Sequence, residues 1–334
     1  MTAAGVNKWL CGEVAYPDCE KVWRCANVLN LTPTERDEFL NAANCKDFRP
    51  PLPLPELIPV IGIPIYHPSQ LFGRKDALRR IYDAWSQEMA LRNVALIGPR
   101  HSGKTSLLNY LTEIARVPKP HLRSDQPKGW SDGWLPHHFQ FVQIDLKDRG
   151  MDTLPHIMDN VLEQLGITMI QSFDFNDFLN ALTNQQKPTI ILMDDVDVKL
   201  KANQLDDTFW QQMRFLASKQ GQIGLVVTAE NDLLDNLPLA QDKSSPFFGI
   251  FNTVYVEPLT EKEAGEMLES SPNPFESKDI EWMIEQSHCW PALLQILCHE
   301  RLLALKEGRA DENWKVEGVK RLDQYQYLLE HSNL

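Results

Sequence analysis

The sequence predicts an α/β protein: a parallel sheet covered by helices, followed by a helical lid and preceded by a small all-α module. Three observations point there. Short apolar runs alternate with amphipathic helical stretches between residues 74 and 256, the pattern of a sheet built from βα units. The apolar run at residues 93–97 leads into Gly98-Pro99-Arg100-His101-Ser102-Gly103-Lys104-Thr105, a glycine-framed turn that opens a helix. Beyond Pro258 only helical periodicity remains. The expected divisions are a helical module at 1–49, a proline-rich linker at 50–68, the sheet domain at 69–258 and the lid at 259–334.

Residues 1–49 read as short helices. Thr32, Pro33 and Glu35 supply a start signal at the N-cap, N1 and N3 positions, with the cap hydroxyl and the N3 carboxylate each serving a free backbone N–H. Pro50, Pro51, Pro53, Pro55, Pro59, Pro64 and Pro68 follow. Each fixes φ and removes a donor, so this stretch is an extended spacer. Residues 74–91 read as a helix with Leu78, Ile81, Tyr82, Trp85 and Met89 on one face. A strand at 93–97 and a helix at 102–116 come next. Residues 121–136 are irregular, with Trp130 and Trp134 as packing residues and His137-His138 as a loop pair. Strands at 139–145, 189–193, 223–228 and 253–256 are interleaved with helices at 154–165 and 206–220. Helices at 261–269, 278–286 and 291–307 complete the reading.

The formal net charge of −13 argues against a broad basic face for nucleic acid. No apolar run reaches the 18 or so residues that cross a bilayer, and residues 1–10 lack a basic-then-apolar leader. The six cysteines, Cys11, Cys19, Cys25, Cys45, Cys289 and Cys298, form no CxxC pair and no zinc spacing. They read as reduced, partly buried thiols, Cys289 and Cys298 in the core, and the expected compartment is the cytosol.

The turn at residues 98–105 matches the P-loop pattern in full. Its glycines let backbone N–H groups point at phosphate oxygens. Lys104 neutralises the β and γ phosphates, Thr105 places a hydroxyl on Mg²⁺, and the helix start adds its positive end. The expected ligands are therefore ATP or ADP with Mg²⁺. Ile190-Ile191-Leu192-Met193 delivers Asp194 and Asp195 at a strand end, where open α/β sheets bind ligands. Asp194 is the candidate for the Mg²⁺ shell and Asp195 for polarising the attacking water. Thr228 ends another apolar strand and is the candidate sensor of the γ phosphate. Asp197 reads as a solvated loop residue.

Residues 66–307 resemble the AAA-like P-loop ATPases of the STAND group, with relatives among archaeal-type and transposition-regulator ATPases. Phe72-Gly73-Arg74 looks like their FxGR box, which implies help in cradling the nucleotide. Gly98-Pro99-Arg100 with Ser102-Gly103-Lys104-Thr105-Ser106 is similar to GPRGSGKTS, His101 standing where glycine is usual. Phe141 to Leu146 looks like the second strand and Met193-Asp194-Asp195-Val196 like an LDDV Walker B. Ser245-Pro246-Phe247-Phe248 and Val256-Glu257-Pro258-Leu259-Thr260 resemble the stretch that leads to the lid. Ser287 to Gln295 is similar to the GGhPyllQ lid motif, which implies that Pro291 packs near the base. There are departures: no arginine follows Thr228, Trp290 is bulky where a small residue is common, and fewer than thirty residues follow Glu307, too few for a winged-helix domain. Arg74, Arg79, Arg149 and Arg214 are all candidates for an arginine finger, and none is singled out.

Val6 to Glu13, Val22 to Leu29 and Thr34 to Ala43 resemble the latter part of a repressor-type helix-turn-helix. Seven acidic residues against six basic ones make it a poor DNA reader, so a relic or protein-docking bundle is favoured. The expected sheet order is 5-1-4-3-2. The expected function is an ATP-dependent switch with slow hydrolysis, with homo-oligomerisation and a separate effector protein as implied partners and no membrane. The alternatives are a DNA-associated ATPase regulator and an adaptor that holds nucleotide without turnover.

Overall fold

Five aliphatic runs become strands: β1 (Asn93–Ile97), β2 (Gln140–Asp145), β3 (Thr189–Asp194), β4 (Ile223–Ala229) and β5 (Phe251–Tyr255). They pair in parallel in the order β2-β3-β4-β1-β5, the expected order read from the other edge. The computed structural model describes residues 19–29, 31–43, 45, 62–86, 91–114, 117, 123, 139–168, 174–202, 205, 207–219, 221–230, 250–271, 273–309 and 311–331. The chain falls into two units, Met1–Pro53 and Leu54–Leu334.

In the first unit, α1 (Cys19–Val28) and α2 (Pro33–Ala42) enclose Val22, Ala26, Leu40 and Ala43. The α2 start is the predicted capping box. Glu35 N donates to Thr32 Oγ1 at 3.4 Å, and Thr32 N donates to the Glu35 carboxylate at 2.9 Å. Cys19 and Cys45 are joined by a disulfide, which corrects the reduced-thiol reading for this pair; their spacing matches no motif, so nothing local announces the bridge. Val6 to Glu13, most of the proline run, Met89, Trp130, Trp134, His137-His138 and Ser245 to Phe248 lie outside the described residues.

In the second unit α3 (Lys75–Trp85) and α4 (Lys104–Glu113) lie on one sheet face. Leu78, Ile81, Trp85, Leu107 and Leu111 pack there against Val94, Leu96, Ile190, Leu192 and Val226. Alternate strand residues, among them Ala95, Ile97, Ile191, Met193, Leu225 and Val227, face the other layer. That layer holds α5 (Leu154–Gln164), α6 (Phe175–Thr183), α7 (Val196–Ala202) and α8 (Asp207–Ala217). β1, β3 and β4 are buried throughout, as central strands covered on both faces must be. The helix expected at 74–91 stops at Trp85, and Tyr82 sits at its exposed edge. Asp197 was expected in a solvated loop; it is buried in α7, only three positions past β3.

The last five helices are α9 (Glu261–Glu269), α10 (Ser277–Ser287), α11 (Pro291–Lys306), α12 (Asn313–Leu322) and α13 (Gln326–His331). They share a core of Leu268, Met283, Trp290, Leu294, Leu297 and Trp314. Cys289 and Cys298 are free and buried, and burial pushes the Cys298 thiol up to about 12. Among the described residues no helix is long and apolar enough to cross a membrane.

A buried charge pair crosses this core. Arg301 Nε lies 2.8 Å from Asp279 Oδ2, both nearly removed from water. The two atoms are poorly aligned for a hydrogen bond, so the pair meets mainly as charges. Asp279→Ala is expected to cost about 3–5 kcal/mol by stranding the guanidinium, whereas Asp279→Leu combined with Arg301→Met removes both charges and should recover most of that loss. Urea titration of the three proteins measures this; equal losses in the single and double variants would refute the pairing.

Candidate nucleotide site at the strand ends

The loop after β1 is shaped by close backbone approach. A Cβ at Gly98 would lie 2.9 Å from Val256 O and 3.0 Å from Ser102 Oγ, so only glycine fits. His101 has φ +63° and Gly103 φ +100°, left-handed values that turn the loop into α4. Glycine takes such a value freely; histidine does so against its Cβ. Pro99 is buried, Arg100 is exposed at the loop tip, and Ser102 is fully buried. Among the described residues the Ser102 hydroxyl has no hydrogen-bond partner.

Lys104 opens α4 with its ammonium buried, donating to Gly98 O at 2.8 Å and Pro99 O at 2.9 Å. Burial lowers its pKa, and Asp195 pulls the other way. One residue on, Thr105 Oγ1 donates to Asp194 Oδ2 at 2.7 Å. The other carboxylate oxygen accepts from Thr228 Oγ1 at the end of β4. Burial raises the Asp194 pKa; the Thr228 and Thr105 hydroxyls oppose that rise. Thr228 Oγ1 also accepts from Asp195 N at 2.7 Å. Asp195 itself has φ +56° and pairs through Oδ2 with Lys147, which follows β2. Burial acts to lower Lys147, but its bond to Asp195 together with the charges of Asp195, Asp194 and Asp145 raises it.

Arg74 approaches from the segment before α3. It is buried, with φ +62°. Its guanidinium donates to Ser102 O at 2.7 Å and to Glu257 O, clamping the loop against the chain that follows β5. Burial brings its pKa down to about 10, against Glu263 and Glu257. Gly73 sits so close to Glu263 that a Cβ would meet its carboxylate carbon at 2.4 Å. Phe72, Arg74, Gly103 and Ser106 line one side of a narrow cleft, and Pro291 and Gln295 at the start of α11 line the other. Ser106 Oγ accepts from Ile65 N at 3.2 Å, and the Arg123 guanidinium covers the Phe72 ring at 3.7 Å.

The chain superposes on the ORC2 protein of Aeropyrum pernix, in its ADPNP–ADP complexes, with a TM-score of 0.57 at 16% identity, covering 77% of this chain and 69% of that one. A Walker-type ATPase of Pyrococcus abyssi gives 0.53 at 16%, covering 81% and 79%. The ORC1 protein of Aeropyrum pernix in complex with DNA gives 0.52 at 16%, covering 78% and 68%. The chain has the α/β P-loop fold of these structures. No family model matches it, and no curated protein does. At such identities the likeness establishes fold alone.

The predicted residues fall into two clusters. Lys104, Thr105, Asp194, Asp195 and Thr228 meet at the ends of β1, β3 and β4. Phe72, Arg74, Gly103, Ser106 and Pro291 share the cleft. Among the finger candidates, Arg74 is occupied by carbonyls of its own chain, and Arg79 is paired with Asp76 on the surface. Sequence reasoning missed Lys147, although a lysine two residues past a strand that borders β3 is a readable cue. Thr228→Val should lower stability by about 1–3 kcal/mol, because the buried Asp194 carboxylate loses a donor and the part-buried Asp195 N–H its acceptor, and should speed hydrogen exchange at Asp195. Thr228→Ser should restore both. An unchanged Asp195 exchange rate in the valine variant would contradict this arrangement.

Proposed function

We propose that the chain binds Mg²⁺-ATP and works as a conformational switch with slow hydrolysis. The observation that carries this reading is the Thr105–Asp194 contact beside the buried Lys104. A P-loop hydroxyl and a strand-end carboxylate stand together as hard oxygen donors, the set Mg²⁺ prefers. Among the described residues no basic side chain pairs directly with Asp194, and none of its partners is more than a hydroxyl. The residues therefore fit Mg²⁺. Its chemistry, when bound, is to neutralise phosphate charge. The N–H groups of residues 103–105, at the start of α4, face the phosphates in this reading, and Lys104 exchanges its carbonyl partners for phosphate oxygens.

Asp195 holds the attacking water, with Thr228 fixing its backbone and sensing the γ phosphate. Two features make turnover slow. Aspartate reaches one methylene less far than glutamate, and a misplacement of about 1 Å can cost on the order of a hundredfold. Lys147 also competes for the Asp195 carboxylate. Phe72, Gly73, Arg74 and Pro291 frame the base. The free space in their cleft is about 50 Å³, room for a few waters and too little for a purine. Base binding thus draws Pro291 and Gln295 away from Phe72, which makes the helical region 259–334 a lid that responds to nucleotide. The module at 1–49 and the linker at 50–68 complete a STAND-like cytoplasmic switch that acts on itself as an oligomer or on a separate effector. The likeness to a DNA-bound ORC1 protein favours one second reading, a DNA-associated ATPase; tight, ATP-stimulated binding in fluorescence anisotropy near physiological salt would promote it.

Lys104→Ala removes a charge-assisted contact of roughly 1.5–3 kcal/mol, so calorimetry should show ATP affinity falling at least about tenfold; unchanged affinity in the folded variant would end this reading. Asp195→Asn should bind ATP nearly normally and lose turnover by about 10²–10⁴-fold. Wild-type turnover indistinguishable from blank over hours would favour the non-hydrolysing adaptor.

A further inference from the structure

Past α12 the chain turns through Asp323–Tyr325 into α13 and brings two tyrosines to the phosphate loop. The His101 Nδ1 bonds the Tyr327 hydroxyl. The imidazole meets the Tyr325 ring edge-on at 5.3 Å and 72°, and the Tyr327 ring at 6.3 Å. The tyrosines stand 6.3 Å apart and are carried by an anchored segment, since Leu322 and Leu328 are buried in the terminal core. Burial, then Arg100, keeps the His101 pKa low, and burial raises that of Tyr327. Which of the two donates in this bond is set by the imidazole tautomer.

His101 is the one residue of the loop that combines a Cβ with a left-handed backbone, a conformation that sterics disfavour and that persists only where the surroundings hold it. Its neighbour Ser102 is tied from the other side by Arg74. The terminal helices offer the loop two aromatic rings, while their arginines are engaged elsewhere: Arg301 pairs with Asp279, Arg309 with Glu307 and Glu317, and Arg321 with Glu300. We propose that Tyr325 and Tyr327 form a latch that holds the phosphate loop in its turned conformation through His101, and that nucleotide and latch stabilise each other. The first half stands without any ligand; the second rests on the ATP reading above. Tyr327 is thus a positioning residue, acting through His101, and coupling must be reciprocal: what holds the loop for phosphate is itself held when phosphate binds.

Hydrogen exchange of the full chain without nucleotide tests the first half. Tyr327→Phe, which keeps the ring and loses one hydrogen bond, should speed exchange of the amides at residues 100–104 by about fivefold, the usual worth of such a bond. Tyr325→Leu with Tyr327→Phe should speed it further. In a His101→Gly background, where the backbone needs no support, Tyr327→Phe should change nothing. Equal loop exchange in wild type and in the double tyrosine variant would overturn the latch, as would an equal effect of Tyr327→Phe in both backgrounds. For the second half, Mg²⁺-ATP should slow exchange at residues 323–331 in wild type, and Tyr327→Phe should weaken binding of a fluorescent ADP analogue about fivefold only when His101 is present. Nucleotide that binds tightly without slowing exchange at 323–331 would overturn the coupling. Wild type that binds no nucleotide would overturn the ATP reading and the coupling with it, while exchange at 100–104 still decides the latch.

Discussion

The Asp194 carboxylate is removed from water at the end of β3 and is held there by two hydroxyls, Thr105 from α4 and Thr228 from β4. Burying such a group without partners would be costly, so both contacts constrain what surrounds them. Thr105 can reach it only if α4 starts immediately after the loop, which the left-handed Gly103 makes feasible. Thr228 can reach it only if β4 lies between β3 and β1, in the register that sets Met193 beside Val227. Strand order, loop shape and helix start thus answer to one acidic side chain. Because Thr228 also holds the Asp195 N–H, the two acidic neighbours share one hydroxyl partner.

Strain has the same address. Among the described residues five that are not glycine have positive φ: Arg74, His101, Asp195, His288 and Cys289. Each costs conformational energy and survives only where contacts over-determine it. Arg74 is fixed by two carbonyls, His101 by the tyrosines, and Asp195 by Thr228 and Lys147. His288 and Cys289 close α10 just before Trp290 and Pro291, and Cys289 O accepts from Leu259 N at 3.0 Å. The strained positions therefore surround the strand ends and the turn into α11, and relaxed backbone fills the sheet.

Most of the sheet and the first cluster were legible because their signals are local. An apolar run, a glycine frame, a lysine-threonine pair and two aspartates each declare themselves within a few residues, and alternation supplies the order. Thr32 and Glu35 were readable for the same reason. The Cys19–Cys45 bridge, the burial of Asp197, and α12 with α13 were not. Each depends on partners distant in sequence, or on a short helix whose apolar residues are too few to show a period. Tyr325 and Tyr327 lie 226 residues or nearly so from their partner, and two tyrosines in a polar stretch carry no periodic signal. His101 was visible as a departure from glycine. What the departure requires became visible only with the rings that surround it.

The terminal helices also bear on the kind of machine this fold can be. Their three arginines are spent within their own core or on its rim, against Asp279, Glu300, Glu307 and Glu317. In this arrangement each of the three arginines is matched by a carboxylate of the same region. What these helices present instead is an aromatic contact on the loop and an apolar wall beside Phe72. Contacts of that kind respond to whether the loop is shaped and the cleft filled, more than to charge that develops during reaction. Such contacts suit the switch proposed above better than they suit a fast motor.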